Sequence, residues 1–184
     1  LCDRHAAPRR RTQPKDRRMT RAVIWVVDDD DDHREGLCDL ITAAGHDPVD
    51  LSGGIAARTA LGGPLPDLIL SDLRMPELDG IGLLDAVRAV DADVPMVLLT
   101  GHGDVAQAVR AMQRGAQDFL EKPYDADHLL TVVERSLASG RLRAENRMLR
   151  QRLKVEGTPL IGETTAIAAV RRRLADIDAL PVDV

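Results

Sequence analysis

Two periodicities alternate along the chain. Short unbroken apolar runs at Ala22 to Val27, Leu68 to Leu70 and Val94 to Leu99 are too brief for helices. They read as strands buried on both faces of a parallel sheet. A weaker strand is expected near Val49 and a short one at Asp118 to Leu120. Between these runs the apolar residues recur at helical spacing. Leu37, Leu40, Ile41 and Ala44 share one face of a helix that ends at Gly45, and a short helix from Ile55 to Leu61 stops at Gly62, Gly63 and Pro64. Ile81, Leu84 and Val87 mark a third helix. Asp104 and Gln107 form a capping-box pattern for a fourth, which ends at Gly115, and Leu129, Leu130, Val133 and Leu137 mark a fifth. Five strand-then-helix units predict an α/β fold, a doubly wound five-stranded parallel sheet.

The polar residues at the strand ends then become informative, because ligands of open α/β sheets bind outside the carboxyl ends of the strands. Asp72 follows the run Leu68 to Leu70, and Asp28 to Asp32 follow the run Ala22 to Val27. With these two strands as neighbours, Asp28, Asp29 and Asp72 converge at one edge, where they repel unless a cation lies between them. A small all-oxygen set suits Mg²⁺. An aspartate beside such an ion can accept a phosphoryl group, since the metal offsets charge on both reactants. Thr100 and Lys122 end the last two strands at the same edge and can bind phosphoryl oxygens. Each has an ordinary reading as well: Asp72 as a loop or helix cap, Thr100 as a turn residue before Gly101, Lys122 as a solvated charge. Pro123 restricts the backbone after Lys122 and allows a cis bond there.

Composition narrows the classes. The chain has 184 residues, 44% hydrophobic, with one Trp, one Tyr and one Phe, so its core is aliphatic. The net charge of -5 and the lack of aromatic platforms argue against nucleic-acid binding. Cys2 and Cys38 suit neither a disulfide framework nor a zinc site. No apolar run approaches the roughly 20 residues that span a bilayer, so a soluble cytoplasmic protein is expected, with no membrane partner. Residues 1–20 are basic and aperiodic, and Met19 stands just before the first strand. They read as a disordered extension or translated upstream sequence, or else as a basic nucleic-acid-binding arm.

The segments Val27-Asp28-Asp29, Ser71 to Pro76 with Asp79-Gly80, Leu99 to Asp104 and Phe119 to Pro123, in this order, resemble the receiver domain of two-component response regulators. The resemblance covers residues 21–139 and implies the flavodoxin-like receiver fold. It implies that Asp72 is the phosphoacceptor for a sensor histidine kinase, that Asp29 binds Mg²⁺ directly, that Asp28 acts on the metal largely through water, and that the Arg74 backbone carbonyl is a further ligand. Thr100 and Lys122 would bind the phosphoryl group. Phe119 would be the aromatic switch that swings inward when Thr100 is drawn to the phosphoryl oxygens; the alternative is an ordinary core Phe. The implied protein is no enzyme in the usual sense, but a phosphoacceptor with self-catalysed transfer and autodephosphorylation.

The segment Leu99 to Asp104 and the sequence after the receiver are similar to the NtrC-type branch, which includes the regulators of four-carbon dicarboxylate transport. Residues 140–157 read as a linker helix, either solvated or paired as a short parallel coiled coil through Leu142, Asn146, Leu149 and Leu153. A homodimer through this linker and the face made by the fourth helix, fifth strand and fifth helix is the expected output. Residues 158–184 resemble the opening of the AAA+ domain of sigma-54-dependent activators. No G-x-x-x-x-G-K-[ST] sequence occurs, so ATP hydrolysis by that route is not expected. Contacts with RNA polymerase sigma-54 and DNA would need domains not present here. The competing enzymatic reading, a phosphohydrolase with an aspartyl nucleophile acting on small phosphate esters, wants an acid two residues after Asp72, and Arg74 stands there. A phosphorylation-independent interaction domain is a third reading.

Overall fold

The computed structural model describes residues 21–101 and 103–155, with no side-chain account of Val105 or of residues 152–155. The expectations for residues 1–20 and 158–184, and the seam position of the Leu153 side chain, lie outside the described residues. The chain divides into two compact units, one ending at Gly140 and one beginning at Arg141. Its elements are β1 (Val23–Val27), α1 (Asp31–Ala43), β2 (Asp47–Leu51), α2 (Gly54–Ala60), β3 (Leu68–Asp72), α3 (Gly80–Val90), β4 (Met96–Thr100), α4 (Val105–Gln113), β5 (Asp118–Glu121) and α5 (Ala126–Val155).

All five strands are parallel, in the order β2-β1-β3-β4-β5. The unbroken apolar runs follow from this arrangement, because alternate residues of each strand enter opposite layers. Trp25, Val27, Ile69, Met96 and Leu98 pack against Ala57 of α2, Leu83, Leu84 and Val87 of α3 and Ala111 of α4. Ile24, Val26, Leu68, Leu70, Val97 and Leu99 face Leu37 and Ile41 of α1 and Leu129, Val133 and Leu137 of α5. The doubly wound sheet expected from the alternation is therefore present.

Details differ from the sequence reading where one face is only partly covered. α3 buries Leu83 with Leu84 and Val87, whereas Ile81 is half-buried. α1 buries Leu37 and Ile41, with Leu40 and Ala44 on the shoulders of the stripe. β4 starts at Met96 rather than Val94; Pro95, just before it, has no N–H to offer the ladder, although its carbonyl accepts from Ile69 N at 3.0 Å. α5 runs on to Val155, so residues 140–155 and the fifth helix fall in one element. In the unit beginning at Arg141, Leu142, Asn146, Met148 and Leu149 are exposed. No helix among the described residues is long and apolar enough to cross a membrane.

Two close approaches fix the surroundings of β3. Gly80 opens α3 so near the strand that a Cβ there would lie 2.6 Å from the Asp72 carbonyl oxygen and 2.8 Å from Leu98 Cδ2. At Gly54, the start of α2, an added Cβ would collide with the Leu78 carbonyl oxygen.

Candidate functional site

Strand register puts the ends of four strands side by side. Val27 pairs with Ser71, Asp72 with Leu99, and Thr100 with Glu121, so Asp28, Asp72, Thr100 and Lys122 all stand at the C-terminal edge of the sheet. Asp28, Asp72 and Thr100 are buried, at 2%, 8% and 3% exposure. The Lys122 main chain is tied to β4 by its N–H, 2.7 Å from the Thr100 carbonyl, and the Lys122–Pro123 bond is cis.

The ammonium of Lys122 bridges the two carboxylates. It donates to Asp72 Oδ1 and, at 3.2 Å, to Asp28 Oδ2. The cation that converging carboxylates demand is thus supplied by the chain itself. Asp72 Oδ2 accepts from the Arg74 N–H at 2.7 Å. Asp28 Oδ1 accepts from the Asp30 N–H at 2.9 Å, and its Oδ2 also takes the His33 ring at Nδ1, 2.6 Å away. The other ring nitrogen, Nε2, lies 2.7 Å from the Tyr124 hydroxyl. Arg34, itself buried, donates to the Asp28 carbonyl at 2.9 Å and pairs with Asp31 and Asp50.

These contacts set the charges. Burial works to raise the Asp28 carboxyl, but hydrogen bonds from His33 and the Asp30 N–H, with the Lys122 ammonium, overcome it and hold Asp28 down at about 2. Burial pushes Asp72 above the usual carboxylate range, against the pull of Lys122 and the Arg74 N–H and with the help of the Asp28 charge. Burial would lower Lys122, yet the Asp72 and Asp28 carboxylates outweigh it and raise the ammonium. Tyr124 is pushed up to about 12 by burial first and then by the Asp28 and Asp72 charges.

Asp29, next in the chain to Asp28, is exposed, while Asp28 and Asp72 flank the Lys122 ammonium. No group of three or more His, Cys, Asp or Glu side chains among the described residues is arranged to hold a metal ion. Phe119 is 38% exposed, which removes the reading of an ordinary core Phe. The capping box at α4 does not form: the Asp104 side chain makes no cap bond and instead pairs with the Arg74 guanidinium. His33, Arg34 and Tyr124 escaped the sequence reading. His33 had a signal, since it precedes Leu37 and Ile41 by one and two steps of four and so extends the buried stripe of α1.

The model of the response regulator receiver domain matches residues 24–134. The chain is 38% identical over 163 residues to the C4-dicarboxylate transport transcriptional regulatory protein DctD of Rhizobium meliloti, a match covering 88% of this chain and 35% of that protein. It is 34% identical over 166 residues to the DNA-binding transcriptional regulator NtrC of Escherichia coli, covering 90% of this chain and 35% of that protein. The chain thus spans about a third of the length of these curated relatives. Among solved structures, NtrX from Brucella abortus superposes with a TM-score of 0.68 at 34% identity, over 86% of this chain and 35% of that one. A response regulator receiver protein from Pseudomonas putida gives 0.59 at 35% identity, over 63% of this chain and 98% of that one.

Proposed function

The chain belongs to the response regulator receiver domain family, and from that premise we propose that it accepts a phosphoryl group on Asp72 from a sensor histidine kinase. The observation that carries this reading is the Lys122 ammonium held between Asp72 and Asp28 at the edge where β1, β3, β4 and β5 end. An Asp72 carboxylate oxygen attacks phosphorus, the bond to the donor imidazole nitrogen breaks, and that nitrogen keeps the electron pair. Lys122 and the Thr100 hydroxyl then bind the new phosphoryl oxygens. The drawing of Thr100 towards them lets Phe119 turn inward from its exposed position.

The donor set is all oxygen and suits Mg²⁺. Asp28 is 2% exposed, which supports a role through water, whereas Asp29, which is exposed, would hold the ion directly together with Asp72 and the Arg74 carbonyl. When bound, Mg²⁺ offsets the repulsion between carboxylate and phosphoryl oxygens. In a cytoplasmic regulator of the NtrC and DctD type, the output is a changed homodimer interface at α4, β5 and α5, passed to a sigma-54-dependent ATPase domain.

Incubation with acetyl phosphate and Mg²⁺, followed by intact-mass measurement, tests the reading. One base-labile phosphoryl group should appear on the wild type and none on Asp72→Asn, with slower labelling of Asp29→Asn. Equal labelling of Asp72→Asn removes Asp72 as acceptor. Turnover of small phosphate esters favours the hydrolase.

A further inference from the structure

Asp104 stands at the start of α4 and is 4% exposed, yet its carboxylate caps none of the α4 amides. Oδ1 accepts from the Arg74 guanidinium instead. Oδ2 lies over Gly101, where an added Cβ would be 3.5 Å away. Arg74 comes from the loop after β3, and its side chain is 68% exposed along its length. Its own N–H is 2.7 Å from Asp72 Oδ2. One residue is therefore anchored to the acceptor carboxylate by its main chain and to α4 by its side chain.

We infer that the Arg74 guanidinium is a second phosphoryl-binding cation held in reserve by Asp104. A phosphoryl group on Asp72 draws it away, and the buried Asp104 carboxylate, left without its cation, turns outward and loosens the start of α4. The inference rests on Asp72 being the acceptor.

The competition is uneven. A phosphoryl group brings close to two negative charges and three acceptor oxygens, a match for the guanidinium fork, where Asp104 offers a single charge. Lys122 cannot satisfy that demand alone, since it is already shared with Asp28. A carboxylate stripped of its partner in a nearly dry position is strongly disfavoured, so it moves to water. The connecting loop can follow: it contains Gly101 and Gly103, and Gly103 already sits at φ +91°, a conformation that costs glycine little.

Beryllofluoride with Mg²⁺, a stable phosphoryl mimic, provides the test, with affinity read by calorimetry and α4 by hydrogen exchange of amides 105–113. In the wild type, α4 exchange should quicken on binding. Asp104→Asn should quicken it without ligand and tighten beryllofluoride by about threefold or more, since Arg74 is freed. Arg74→Gln should also quicken exchange but weaken beryllofluoride, by roughly tenfold. In the double variant the gain from Asp104→Asn should vanish, because it acts through Arg74. Unchanged affinity in both single variants, or a gain that persists in the double variant, overturns the inference while leaving Asp72 as acceptor. A wild type that takes up neither beryllofluoride nor a phosphoryl group overturns both.

Discussion

At the scale of single side chains, Tyr124, His33, Asp28, Lys122 and Asp72 form one run of hydrogen bonds from the β5–α5 loop to the end of β3. Asp28, held down at about 2, can only accept, so the His33 ring donates to it from Nδ1, while Nε2 lies within hydrogen-bond distance of the Tyr124 hydroxyl. A phenol raised to about 12 adds stability that is fully present below its unfolded value, about 10, and that is lost as the pH rises through 12. Tyr124 is the single tyrosine, which makes the check direct. Tyrosinate absorbance should be absent from the folded chain at the pH where the urea-unfolded chain is half ionised, and Asp28→Asn should lower the folded midpoint. Lys122→Met leaves two buried carboxylates facing each other without a cation. It should cost about 2 kcal/mol in urea unfolding followed through Trp25, the single tryptophan, and Asp28→Asn in the same chain should restore part of that loss.

At the scale of elements, α3 reports on β3 through Gly80. The 2.6 Å separation from the Asp72 carbonyl leaves no room for a methyl group, so Gly80→Ala must push α3 off the strand that presents Asp72. A loss of about 1–3 kcal/mol and slower labelling by acetyl phosphate are expected. Gly36→Ala, in an exposed part of α1 with nothing within 4 Å of the new Cβ, should instead stabilise by roughly 0.5–1 kcal/mol. The same contrast explains what the sequence could reveal. β1, β3 and β4 announce themselves because both faces of each are buried, while β2 and β5 lie at the sheet edges and carry mixed patterns. Asp72, Asp28, Thr100 and Lys122 were readable from their places after apolar runs. The use of Asp104 was not: its local pattern fits a cap, and the partner that claims it is thirty residues away in the chain. Nor could spacing show Asp29 exposed and Asp28 buried, since adjacent residues at a strand end part according to where the neighbouring helix starts.

At the scale of the whole molecule, the coiled-coil reading predicts that two copies of the chain meet through the unit beginning at Arg141. Leu142 and Leu149 are 66% and 51% exposed there, with Asn146 between them, and a seam through these three residues would need a second copy. Sedimentation should show Leu149→Asp shifted towards monomer and Asn146→Leu more strongly associated; monomeric behaviour in every sample rejects the seam. The site itself has an order of arrival. Asp28 follows the first strand, Asp72 ends the third, and Lys122 follows the last, whose pairing with β4 positions it. On a ribosome Asp72 therefore emerges long before the ammonium that pairs with it, and an unfinished chain carries that carboxylate alone. On the proposed function, competence to receive a signal would certify a completed sheet, and half-made copies would stay silent.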